Sequence, residues 1–218
     1  MSYIDNLQEP EVQRNLTSKI KRFDILNYLI DKYKLINYLE IGVFKGENIR
    51  EVKALHKDGV DPGVEGYTPP EVNYPMTSDE FFKLIKGHED IKYDLIFIDG
   101  LHEYSQVKKD IENSLNHLQP NGFIVMHDCN PASYQAQLPK RQTVAWNGDV
   151  WKAFVEFKQN NSDYKCCVVD TDFGVGVIEN NSTPIKTTPL IDMDYQTFDS
   201  NRKNHLNLIT WDEFKANY

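Results

Sequence analysis

YDLIFIDGLHEYSQVKKDIENSLNHLQPNGFIVMHDCNP, residues 93–131, is the stretch that decides the fold. Tyr93 to Asp99 is an almost unbroken apolar run and reads as a buried strand. From about Tyr104 to Leu118, Val107, Ile111, Leu115 and Leu118 recur in helical phase. Pro120-Asn121-Gly122 is a turn, and Phe123 to Met126 is a second buried strand ending at His127-Asp128. Strand, helix and strand in this order build a parallel pair with the helix packed on one face.

The same alternation continues upstream. Lys19 to Lys34 carries Ile20, Phe23, Ile25, Leu26, Leu29 and Ile30 at helical spacing, with Thr17 or Ser18 as cap. Ile36 to Val43 reads as a buried strand, and Glu47 to His56 as a helix with Ile49, Val52 and Leu55 on one face. Gly59 to Pro62 is a brief strand stopped by proline, followed by an irregular loop to Pro75. Ser78 caps a helix that starts at Asp79.

Downstream, a loop rich in Pro, Gln and Ala leads to a helix over Asp149 to Gln159. Lys165 to Val169 and Val175 to Glu179 form a hairpin across Asp170 to Gly174. Phe198 to Phe214 reads as a final helical pair. The sequence therefore predicts one α/β domain: a Rossmann-like, mostly parallel seven-stranded sheet with helices on both faces and a terminal antiparallel hairpin. Residues 1–36 form a helical lead-in, 37–179 the core and 180–218 a tail with helix.

Composition agrees with one ordinary globular domain. The chain has 218 residues, 40% hydrophobic and 26% charged. A formal charge of −9 repels phosphate backbones, so nucleic acid is not expected as a partner. No apolar run reaches the ~20 residues of a membrane span, and the polar N-terminus lacks the apolar stretch of a signal peptide. Cys129, Cys166 and Cys167 give no disulfide framework and no zinc spacing. These features point to a cytoplasmic protein with no membrane partner.

In open parallel sheets, ligands collect beyond the carboxyl ends of the strands. That rule selects Glu40 to Gly46, Asp61, Ser78-Asp79, Asp99 to His102 and His127 to Asn130. Gly42 and Gly46 let the backbone turn close to a ligand, and Glu40 before them can hold an ammonium group. A nicotinamide fingerprint has a glycine where Phe44 stands and presses pyrophosphate on a helix N-terminus. An acid with glycines suits a cationic amino-acid cofactor better. Asp61 can accept both ribose hydroxyls of an adenosine, and Ser78-Asp79 comes at the place of an adenine contact.

With these strand ends in order, the chain resembles the class I S-adenosylmethionine-dependent methyltransferases. It is most similar to the small bacterial group called methyltransferase family 24, which includes macrolide-sugar O-methyltransferases. The resemblance rests on LEIGVFKGENI, GVDP, TSDEFF, the stretch quoted above and WNGDVWKAF, and runs roughly from Tyr38 to Val177. It implies S-adenosyl-L-methionine as cofactor, bound by Glu40, Gly42, Gly46, Asp61, Ser78, Asp79 and Asp99. It offers Asp99 and Asp128 as ligands of a divalent metal such as Mg²⁺, and His102 as general base. The implied partner is a small-molecule acceptor with a sugar hydroxyl, and self-association stays open.

The chemistry agrees with that assignment. A sugar hydroxyl is a weak acid and needs a base or a metal when it attacks a sulfonium. His102 has a suitable ordinary pKa of about 6.5, and carboxylates are the oxygen ligands Mg²⁺ prefers. Gly100 would let the chain turn sharply and carry the imidazole back over the pocket. His127 reads as a packing residue or one that backs a ligand, facing away from Asp128 if the strand continues, and Asn130 as an Asn-Pro turn in preference to a neutral third metal ligand. Trp151 reads as core, and Trp146 as packing or an acceptor stack. His56, His88, His117 and His205 read as surface residues. Two other readings stay open: a non-catalytic binder on the same fold, and a nicotinamide oxidoreductase, which Glu40 and Phe44 disfavour.

Overall fold

Parallel strands whose side chains are apolar on both faces must be covered on both sides, and that requirement organises the chain. The structure, a computed structural model, describes residues 3–64, 66–181, 183–186 and 192–218. Strands β1 (Asn37–Ile41), β2 (His56–Val60), β3 (Tyr93–Ile98) and β4 (Leu118–Met126) run parallel. Strands β5 (Lys165–Val169) and β6 (Val175–Glu179) form an antiparallel hairpin, with β6 beside β4. A short β7 (Leu208–Ile209) pairs parallel with β5, giving the order β2-β1-β3-β4-β6-β5-β7.

Helices α1 (Tyr3–Gln8), α2 (Pro10–Leu16) and α3 (Arg22–Tyr33) precede the sheet. α4 (Glu47–Glu51), α5 (Ser78–Leu84), α6 (Tyr104–Asn116) and α7 (Val150–Asn160) fall between strands. α8 (Tyr195–Ser200), α9 (Arg202–Leu206) and α10 (Trp211–Asn217) follow. Alternate strand residues split the core into two layers. Ile96, Ile98, Ile124 and Met126 pack with Ile111 of α6 and Phe154 of α7. Leu95, Phe97, Phe123 and Val125 pack with Leu26 of α3 and Phe214 of α10. Cys166 lies in the first layer and Cys167 in the second, as successive strand residues must. Truncating a fully buried ring such as Phe97 or Phe154 to alanine costs about 3–5 kcal/mol.

Element boundaries depart from the sequence pattern where side chains end a helix early. α4 stops at Glu51, and β2 already begins at His56. Lys57 Nζ donates to the carbonyls of Ile49 and Val52, and Asn27 Nδ2 donates to that of Glu51. The open carbonyls of the last turn are thus satisfied without another turn. α3 starts at Arg22, where the Asp24 carboxylate accepts from the Lys21 amide at 2.8 Å, so neither Thr17 nor Ser18 caps it. Thr77, not Ser78, caps α5, in a reciprocal pair with Glu80. In the tail, Asn207 adopts φ +46° and interrupts the helical run. The chain then lies beside β5, where Asn207 Nδ2 donates to the Cys166 carbonyl. No helix among the described residues is long and apolar enough to cross a membrane.

Candidate active site

The carboxyl ends of β1 to β4 open into a cavity of about 690 Å³. The side chains expected from the strand-end rule meet there: Glu40, Asp61, Ser78, Asp79, Asp99, His102 and Asp128, with Gly42 of the first turn. Gly42 has φ +88°, and a Cβ on it would lie 2.1 Å from the Asp99 carbonyl oxygen. Only glycine lets β1 end this close to β3. Gly46 has φ +80° and starts α4, but it sits beside Arg50 and Glu71 and does not line the cavity. Its part is to shape the turn rather than touch a ligand. Phe44, between the glycines, also adopts a left-handed φ of +50°.

Glu40 is buried at the base of this turn. Its Oε2 accepts from Tyr38 Oη at 2.5 Å and from Asn48 Nδ2 at 2.8 Å. Burial pushes the carboxyl up to about 7, against the lowering effect of those two donors. Such a group gains most from a cation brought beside it. Asp61 accepts from the Phe44 amide at 2.8 Å and the Gly63 amide at 2.7 Å. It therefore fastens the first turn to the end of β2, and each oxygen keeps a lone pair for a hydroxyl. At the far end, Gln106 of α6 reaches Ser78 Oγ at 3.1 Å and Asp79 Oδ1 at 3.0 Å.

The end of the cavity at Asp99 and Asp128 is an acid–imidazole cluster. His102 Nδ1 lies 3.3 Å from Asp128 Oδ2, and its Nε2 lies 3.5 Å from Asp99 Oδ1. His127 Nδ1 lies 3.1 Å from Asp128 Oδ2 and 3.4 Å from Asp99 Oδ1. Burial alone would lower both imidazoles, but the facing carboxylates outweigh it and raise them. Burial would likewise raise Asp99, yet His127, His102 and Arg22 hold it well below the usual carboxylate range.

His127 is thus part of the cluster and backs its carboxylates, but it does not face away from Asp128. The strand ends at Met126, and Asp128 adopts φ +61°, so the alternation of a continuing strand no longer applies. Gly100 has no left-handed φ, and a Cβ there would touch only Ile41 at 3.4 Å and beyond. The glycine that His102 does require is Gly148, whose Cβ would lie 1.9 Å from the His102 carbonyl oxygen. Asn130 is buried away from the cavity, between Asp170 and Arg202. His117 is buried against Phe82 rather than on the surface.

Trp146 and Asn147, both in WNGDVWKAF, and Arg22 also contribute to the cluster. Asn147 is fully buried and donates to Asp128 Oδ1 at 2.5 Å. Trp146 stacks on His102, and Trp151 is core, stacked on Phe198 at 4.0 Å. Arg22, at the start of α3, places Nη1 3.1 Å from His127 Nε2 and 3.0 Å from Asp172 Oδ2. The two-turn lead-in before it is tied to the same end of the sheet. Asn6 Oδ1 accepts from the Ala145 amide, and Asn15 Oδ1 from the Phe173 amide.

Asp99, His102 and Asp128 each bring one ligand atom within 4.8 Å of the others. His102 Nδ1 is buried there without a hydrogen-bond partner. Two carboxylates around an unsatisfied polar space fit a divalent cation by charge and by donor type.

Residues 46–129 match the family model described as a methyltransferase domain. No curated protein matches the sequence. In structure, the chain is similar to the O-methyltransferase from Bacillus cereus solved in complex with SAH. The identity is 12%, over 82% of this chain and 90% of that one, with a TM-score of 0.53. It is similar to the O-methyltransferase TomG from Streptomyces achromogenes, involved in tomaymycin synthesis and solved in complex with SAM. Here the identity is 12%, over 81% and 86% of the chains, with a TM-score of 0.54. Residues 46–129 thus match a methyltransferase domain, and the chain shares the fold of these O-methyltransferases.

Proposed function

We propose that this chain transfers a methyl group from S-adenosyl-L-methionine to a hydroxyl of a small-molecule acceptor, a sugar or a glycosylated product. One observation carries this reading. His102 is held between Asp99 and Asp128 in the wall of the cavity that also contains Glu40 and Asp61.

Glu40 receives the ammonium of the cofactor through its remaining oxygen, and Asp61 receives the ribose hydroxyls. Ser78 and Asp79, steadied by Gln106, face the adenine. When bound, S-adenosylmethionine supplies the methyl group and leaves with the electron pair of the broken carbon–sulfur bond. His102 takes the proton from the acceptor hydroxyl as the new carbon–oxygen bond forms, and Asp99 and Asp128 stabilise the resulting imidazolium. The products are the methyl ether and S-adenosylhomocysteine. Asp99 and Asp128 are the residues that would hold Mg²⁺, which would lower the pKa of a hydroxyl near them. His102 keeps a nitrogen free for the proton only if the metal rests on the carboxylates alone.

The test is turnover of S-adenosylmethionine with a panel of sugars and glycosylated macrolides. On an accepted substrate, His102→Ala lowers kcat by about 10²–10⁴-fold and leaves S-adenosylhomocysteine affinity nearly unchanged. A folded His102→Ala variant with wild-type kcat contradicts the base assignment.

A further inference from the structure

We infer that Arg22 is the clamp for the α-carboxylate of the cofactor; this rests on the cofactor reading above. The guanidinium is fixed in one orientation by its Nη1 side. Nη1 donates to Asp172 Oδ2 at 3.0 Å, and the same carboxylate oxygen accepts from the Arg22 amide at 3.1 Å. Lys21 Nζ lies 3.5 Å from the other oxygen of Asp172. The opposite edge makes no hydrogen bond among the described residues and has only a long ion pair with Asp99. Nε is buried without a hydrogen-bond partner, 3.7 Å from the nearest Asp99 oxygen, and Nη2 makes no hydrogen bond among the described residues. A guanidinium with a free Nε–Nη2 edge matches a carboxylate in the two-bond fork that gives arginine its selectivity.

The place of this edge identifies the carboxylate. Arg22 lines the same cavity as Glu40, and its positive charge lowers the proton affinity of Glu40. Glu40 is the acid assigned to the ammonium. An amino acid carries its ammonium and carboxylate on one carbon, so an anion-binding edge in the same cavity as Glu40 completes an amino-acid receptor. Lys45 is the other cation of the cavity wall near this turn, but it is exposed and rests over the Phe44 ring at 5.2 Å. Nothing orients its ammonium toward the methionine end.

Two probes isolate the effect: S-adenosylhomocysteine, and 5′-methylthioadenosine, which keeps the nucleoside and lacks the amino acid. Their dissociation constants are measured by calorimetry on wild type, Arg22→Gln, Arg22→Lys and Lys45→Ala. Binding of 5′-methylthioadenosine on each preparation reports whether the nucleoside pocket is intact. In Arg22→Gln, S-adenosylhomocysteine weakens by about 10–100-fold while 5′-methylthioadenosine is unchanged. Arg22→Lys recovers part of the loss, and Lys45→Ala leaves the ratio at its wild-type value. An unchanged ratio in Arg22→Gln, an equal loss of both probes, or collapse of the ratio in Lys45→Ala instead overturns the clamp. Failure of wild type to bind either probe overturns the cofactor reading itself.

Discussion

The imidazole of His102 lies against the indole of Trp146, with ring centroids 5.0 Å apart and planes 18° from parallel. Trp146 is itself fixed, because its Nε1 donates to the Leu138 carbonyl at 2.7 Å. The stack leaves the imidazole little rotational freedom and aims its edges at Asp99 and Asp128. Trp146→Ala should lower kcat by about tenfold or more, because a misaligned base forfeits orientation, while S-adenosylhomocysteine affinity stays close to wild type. Trp146→Phe should recover most of the rate. Steady-state kinetics beside calorimetry checks this. Equal losses in kcat and in cofactor affinity would point to general collapse of the loop instead.

Glu40 predicts a pH dependence of cofactor binding. Burial holds its carboxyl near 7, so the group is protonated below that pH and ionised above it. Only the ionised form attracts an ammonium. S-adenosylhomocysteine should therefore bind about tenfold more weakly at about pH 6 than on the plateau above about pH 8. Glu40→Gln should bind weakly and lose this dependence. Calorimetry across that range decides it; affinity that rises as the pH falls would remove Glu40 from the ammonium site.

Metal assistance makes a separate prediction. If Asp99 and Asp128 hold Mg²⁺, exhaustive chelation should lower kcat by about tenfold or more, and added Mg²⁺ should restore it. Asp128→Asn should weaken Mg²⁺ binding, seen as a higher concentration for half-maximal rate. Full turnover after chelation would leave His102 as the sole means of activating the hydroxyl.

The sequence carried the sheet wherever burial imposes an unbroken apolar run. Tyr93–Ile98 and Val175–Glu179 are read within one residue because both faces of those strands must be apolar. β7 was not legible, because two residues leave no period and its position depends on the left-handed Asn207. At the site, Glu40, Asp61, Asp99, His102 and Asp128 were legible because strand ends in this topology converge on one cavity. The direction of His127 was not legible because it hangs on the left-handed Asp128, which a non-glycine residue does not advertise. Arg22 and Asn147 lie on a preceding helix and a loop, and only the fold brings them to the cluster.

In the proposed function the cavity holds S-adenosylmethionine. The most direct test of that claim is calorimetric and thermal-shift titration of the purified protein with S-adenosylhomocysteine and with NAD, on wild type and Asp61→Ala. Asp61 joins the first turn to β2 through Phe44 and Gly63, and the proposed ribose contact uses the same carboxylate. The account predicts that S-adenosylhomocysteine at about 100 times its Kd stabilises wild type by about 2.7 kcal/mol. It also predicts that NAD does not, and that Asp61→Ala loses most of the shift. Stabilisation by NAD with none by S-adenosylhomocysteine would contradict it.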